Sequence, residues 1–123
     1  RFLGDADPDQ VRSALEGATF PPARARLGLA VDVIGERSVV VPVHGLDELA
    51  RLVGDRTARL GEPPRKRFVG HLTLARVKPH AAMPRVLGAM VSGEFDVDEV
   101  ALVQSRLDPD GARYETIDSW PVG

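Results

Sequence analysis

The stretch RKRFVGHLTLARVK (residues 65–78) sets His71 and Thr73 two apart in an apolar run, bracketed by five cations: Arg65, Lys66, Arg67, Arg76 and Lys78. The stretch reads as a strand of about seven residues, a common strand length. Side chains alternate along a strand, so His71, Thr73 and Ala75 face one way, and Leu72, Leu74 and Arg76 the other. An imidazole exchanges a proton near neutral pH, and a hydroxyl two residues along can donate a hydrogen bond to the same substrate oxygen. Together they supply half of an acid–base site. An H-x-T triplet also arises by chance on a solvated sheet face, so its reading depends on the rest of the chain.

Upstream of EPPRKR, which reads as a loop, GLDELARLVGDRTARLG (residues 45–61) reads as a helix. Leu46, Leu49, Leu52, Val53 and Leu60 form its stripe and Gly61 its stop. Before it, Val39–Val43 is a β run in which Pro42 favours an edge or a strand end. Leu27, Leu29, Val31 and Val33 alternate as a strand would, yet Leu27, Ala30, Val31 and Ile34 also fit one helical face, and the segment stays open. A first helix opens at Asp7 and Pro8, with Gln10 in a capping-box position and Val11, Leu15 and Ala18 on one face; Gly17 and Pro21-Pro22 end it. Downstream, AAMPRVLGAMVSG predicts a short helix starting near Pro84. EFDVDEVALVQSRL, DPDG and ARYETIDSW predict a β-hairpin with a turn of residues that accept Asx geometry and positive φ. Strands and helices alternating with an antiparallel hairpin make the fold class α+β.

The chain has 123 residues, 43% hydrophobic and 28% charged, which suits one domain with its own core. No apolar run approaches the ~20 residues of a membrane helix. There is no cysteine, which removes thiol chemistry and fits a reducing cytoplasm. A net charge of −2 and a pI near 5.9 argue against a broad positive field, so any nucleic-acid contact is local. The opening RFLGDADPDQ lacks the features of a signal peptide and an initiator methionine, and is read as starting within an element. His44 and His80 lack a Ser or Thr two residues later and read as a loop or helix-entry residue and an exposed turn. The three histidines show no metal-ligand spacing, and Asp96, Asp98 and Glu99 read as solvent-facing charges.

GHLTLAR resembles the H-x-[ST]-hydrophobic motif of the 2H phosphoesterase superfamily, specifically its 2'-5' RNA ligase-like RNA 2',3'-cyclic phosphodiesterases. LVQSRLDPDGARYETIDSWPV is similar to that family's closing hairpin, and RFLGDADPDQV to the segment just past its first H-x-T motif. The resemblance covers most of the chain and is weakest between Ala23 and Leu60. It implies two pseudo-symmetric lobes of antiparallel sheet with flanking helices around a central cleft, and one domain over residues 1–123 that lacks its first strands and first H-x-T motif.

For function, the resemblance implies metal-independent hydrolysis of RNA 2',3'-cyclic phosphate ends to 2'-phosphates, with reverse 2'-5' ligation. His71 and Thr73 are the implied catalytic residues, with Arg76, Arg67 and Phe2 as substrate-binding candidates. Arg76 reaches that face only beyond a bulge or the strand end, and Phe2 also reads as core. No cofactor and no metal are implied. The expected partners are RNA ends or cyclic nucleotides, without a membrane, for a cytoplasmic monomer. Two alternatives stand beside this reading: a phosphodiesterase for another cyclic nucleotide, and a catalytically incomplete RNA-end or nucleotide-binding module.

Overall fold

Val39, Val40, Val41 and Val43 are β-branched residues that favour extended backbone, and they build the central strand. The computed structural model describes all residues 1–123, and in it this run is β3 (Ser38–His44). One edge of β3 carries β4 (His71–Arg76). The other edge is shared by β1 (Arg24–Leu27) and β2 (Asp32–Ile34), and β1 also pairs with β5 (Gly93–Asp96). Every pairing in this five-stranded sheet is antiparallel. β6 (Glu99–Asp108) and β7 (Gly111–Pro121) form a separate antiparallel ribbon. With helices α1 (Pro8–Leu15) and α2 (Asp47–Arg56), the architecture is the expected α+β.

Two apolar clusters hold these elements. Val11 and Leu15 of α1, Phe20 and Leu49 of α2 make one, closed by Val100, Leu102, Trp120 and Val122 from the base of the ribbon. Val31, Val39 and Val41 make the other, with Leu27, Val33, Val77 and Val91 against it. Asp7 caps α1 by accepting the Asp9 N–H at 2.9 Å, and Pro8 occupies the first turn. No side-chain bond from Gln10 completes the capping box.

Several expectations are corrected. α2 ends at Arg56, short of Gly61, with Thr57 as its C-cap: the Thr57 amide and hydroxyl both donate to the Val53 carbonyl, at 3.0 and 2.7 Å. The Arg1 guanidinium then donates to the Thr57 carbonyl and hydroxyl, and to the Leu60 and Glu62 carbonyls, satisfying groups that a longer helix would have used. The segment after Pro84 forms turns and no helix. Two of its amides close turns within it, Leu87 N–H to the Pro84 carbonyl and Ala89 N–H to Val86, and others bond with residues 29–31: Gly88 N–H to the Val31 carbonyl, Val31 N–H to Ala89, and Val91 N–H to Leu29. EFD is β5 alongside β1 and no part of the hairpin. The ambiguous 27–34 segment resolves into the end of β1 and all of β2.

Pro42 lies inside a central strand, contrary to its expected edge position. It sits where β1 has left β3 and β2 has not yet joined it. Gly28 donates its N–H to the Pro42 carbonyl at 3.0 Å, and an ordinary residue at 42 would return an N–H to the Gly28 carbonyl. Proline has none. The His44 ring takes its place, with Nε2 3.1 Å from the Gly28 oxygen.

Candidate active site

In an antiparallel pair, residues directly opposite one another project from the same face. His71 lies opposite Pro42 and Thr73 opposite Val40. The register then slips: Val39 pairs with Ala75 and Ser38 with Arg76, leaving Leu74 as an extra residue in a β-bulge. The slip reverses the alternation for the end of β4. Arg76 therefore shares a face with His71 and Thr73, and all three are exposed.

Val40, opposite Thr73 on the same face, is 0% exposed, so the polar groups stand beside a fully packed side chain. Gly70 lets β4 begin close to β3, because a Cβ there would collide with the Val43 carbonyl oxygen. The backbone of Gly70 instead accepts the Val43 N–H at 2.9 Å.

The tautomer of His71 follows from its partner. Its Nδ1 lies 2.6 Å from the Val69 carbonyl oxygen, and a carbonyl can only accept, so Nδ1 carries the proton. Nε2 is left as the free nitrogen. The hydrogen bond fixes the ring, as carbonyl partners do for working histidines generally. The site thus presents one oriented imidazole nitrogen, a hydroxyl and a guanidinium on one pleated surface. These are the groups needed to move a proton and to hold an anion.

The other two sequence candidates lie apart from this trio. Arg67 precedes β4 as an exposed residue without a side-chain partner. Phe2, 74% exposed, lines an apolar groove of about 780 Å³ with Leu46, Val53, Phe68 and Leu102. Arg65 and Lys66 rim that groove, and His71, Thr73 and Arg76 do not line it. No group of three or more His, Cys, Asp or Glu residues is placed to hold a metal ion.

Sequence reading passed over His44. It is the last residue of β3, in phase with Pro42 and Val40, and so belongs to the face that carries His71. Counting by twos from Ser38 could have found it, but Pro42 argued for ending the strand first.

Comparison with known proteins places the chain. The family model described as LigT like Phosphoesterase matches residues 40–114, which include all of β4 and the start of the ribbon's return strand. The chain is 24% identical over 132 residues to the RNA 2',3'-cyclic phosphodiesterase of Methanocaldococcus jannaschii, covering 98% of this chain and 76% of that protein. Among solved structures it is similar to TT0787 of Thermus thermophilus, with 30% identity and a TM-score of 0.73 over 98% of this chain and 74% of that one. It is also similar in fold to E. coli LigT complexed with 3'-AMP, with 22% identity and a TM-score of 0.77 over 99% of this chain and 74% of that one. The architecture is that of the 2H phosphoesterase superfamily, and within it the chain belongs to the LigT-like phosphoesterase family. No helix is long and apolar enough to cross a membrane.

Proposed function

We propose that this protein hydrolyses 2',3'-cyclic phosphate ends of RNA to 2'-phosphates without a metal ion, with His71 as an acid–base group. The observation that carries the reading is the His71 ring, pinned through Nδ1 with Nε2 free, on the same face as Thr73 and Arg76. Support also comes from the named activity of the Methanocaldococcus jannaschii relative and from the 3'-AMP bound to E. coli LigT.

In this reading, neutral His71 takes a proton from water through Nε2 as the water oxygen bonds to phosphorus. The bond from phosphorus to the 3' oxygen breaks, and that oxygen receives a proton from a second imidazole. The family resemblance implies a second H-x-[ST] motif as the source of that imidazole. Thr73 donates its hydroxyl to a nonbridging oxygen as negative charge builds. Arg76 forks across the same group, neutralising it with two parallel bonds. In ligation a 5' hydroxyl would replace water as the attacking oxygen on the 2',3'-cyclic phosphate, giving up its proton to His71 as the bond to the 3' oxygen breaks and that oxygen is protonated, so a 2'-5' linkage would form with the same groups.

The test is hydrolysis of a nucleoside 2',3'-cyclic phosphate by the protein in EDTA. His71→Ala is expected to cut turnover by about 10²- to 10⁴-fold while circular dichroism and melting stay unchanged. Turnover that survives the substitution at its wild-type level would remove His71 from the reaction.

A further inference from the structure

Beside the proposed site, the same sheet face carries a second set of groups. His44 follows Pro42 on β3 and is the diagonal neighbour of His71; such neighbours sit about 7–8 Å apart. Directly opposite His44 on β1 is Arg26, which in turn lies opposite Glu94 on β5. Arg26 is exposed and its guanidinium has no hydrogen-bond or ion-pair partner. Its cross-strand carboxylate is engaged elsewhere: Glu94 accepts from Arg24 at 2.9 Å and Asp96 accepts from Arg24 at 3.0 Å. These two carboxylates hold the Arg24 pKa above its ordinary value, Glu94 contributing most, so the acidic groups on β5 are committed to Arg24.

The His44 ring is fixed in the opposite sense to that of His71. Its Nε2 donates to the Gly28 carbonyl in place of the amide that Pro42 lacks, so the neutral ring carries a bare Nδ1 that can only accept. An acceptor next to a free guanidinium is complementary to one step of a ribonucleotide chain. A ribose 2'-hydroxyl donates to the former, and a phosphodiester oxygen accepts from the latter.

We infer that Arg26 and His44 form a subsite for the RNA chain on the 5' side of the reacting end. Arg26 grips the phosphate that joins the last two nucleotides, and His44 Nδ1 accepts from the 2'-hydroxyl of the penultimate ribose. The inference rests on the phosphodiesterase reading for the placement of the terminal nucleotide at His71. It adds that the preferred substrate is an oligoribonucleotide, in place of a mononucleotide.

The experiment compares three probes by fluorescence anisotropy and competition: a short labelled RNA ending in a 2'-phosphate, the same oligomer with a deoxyribose at the penultimate position, and a mononucleoside 2'-phosphate. Arg26→Ala is expected to weaken the RNA about tenfold and to flatten its salt dependence by roughly 0.7 in slope, one phosphate contact on a single strand. The mononucleotide should be unaffected. His44→Ala should erase the preference for ribose at the penultimate position. As His44 also supports Gly28, the variant Pro42→Val/His44→Ala, in which an amide again faces the Gly28 carbonyl, should show the same loss of preference.

RNA binding unchanged in Arg26→Ala, with mononucleotide binding still lost in Arg76→Ala, would overturn the subsite and leave the phosphodiesterase reading standing. RNA binding lost in Arg26→Ala, with mononucleotide binding indifferent to His71 and Arg76, would keep an anion site at Arg26 and sink the phosphodiesterase reading. Wild-type protein that binds none of the three probes would overturn both.

Discussion

The strand β3 and the ribbon β6–β7 are both long and antiparallel-paired, each with one β-bulge, yet they are held in the fold to different extents. β3 is packed on both faces, with Val39, Val40 and Val41 all almost inaccessible. The ribbon is longer and joins ten residue pairs, but beyond its base it stands open, with Tyr114 exposed and Leu107 92% exposed. A two-stranded ribbon alone is marginal in water. This one is anchored by Val100, Leu102, Trp120 and Val122 against the helix cluster. Backbone pairing sets strand geometry in both regions; apolar burial holds β3 along its length and the ribbon only at its base. β4 lies between the extremes. It takes its rigidity from the ladder with β3 while its own side chains stay exposed, an arrangement that lets polar groups work on a fixed scaffold.

The largest expected effect breaks this contrast directly. Val40→Asp puts a carboxylate with no partner into a fully buried position, and the cost should exceed about 3 kcal/mol, enough to unfold much of the population. The milder Val39→Ala should cost about 2 kcal/mol through lost burial. Leu107→Ala and Tyr114→Ser, in strands of equal regularity, should stay within about 0.5 kcal/mol. Urea unfolding monitored by circular dichroism measures all four. If the ribbon variants melt as early as the β3 variants, ribbon pairing is coupled to the core and the contrast is wrong.

How much of this was legible in the sequence follows the same division. Local chemistry could be read: Asp7 and Pro8 opened α1, the valine run announced β3, and DPDG turned the ribbon between Asp108 and Gly111. The triplet His71-x-Thr73 also fell on one face, as alternation requires. The misses all concern where a backbone group finds its partner at long range. A bulge or the strand end was the expected condition for Arg76 to reach the face of His71, but the position of the bulge at Leu74 is a property of two strands in register and has no signature in either one alone. The helix expected after Pro84 gave way to turns and to bonds with residues 29–31. Pro42 was read by its usual exclusion from central strands, and the compensating bond from His44 to Gly28 could not be seen from composition.

That compensation gives a smaller and sharper test of how pairing holds β3 to its neighbours. His44→Ala should lower stability by about 1 kcal/mol, because the Gly28 carbonyl loses its only side-chain donor. Pro42→Val made in the His44→Ala background should recover most of the loss, since a valine amide at 42 faces the same oxygen. A double-mutant cycle isolates the coupling. Additive effects would mean that the His44 ring does not stand in for the missing amide.

The smallest effect concerns α2, which meets the core through Leu49 and carries its charges outward. Arg51 donates to Glu48 at 2.7 Å and to Asp55 at 3.0 Å, and the hydrogen bond from Arg51 is the main cause holding the Glu48 pKa below its ordinary 4.5. A carboxyl whose folded pKa lies below its unfolded one contributes stability that is present in full above about pH 4.5 and fades as pH falls through the folded value. Both side chains are exposed, so solvent screening keeps the contribution small and salt-sensitive. In the Glu48→Gln variant the melting temperature should therefore approach the wild-type value as the pH drops below 4, with the gap between them opening above about pH 5. A gap that is instead constant across the acid range would mean that the substitution acts through helix propensity and that the Arg51 pair contributes nothing measurable to α2.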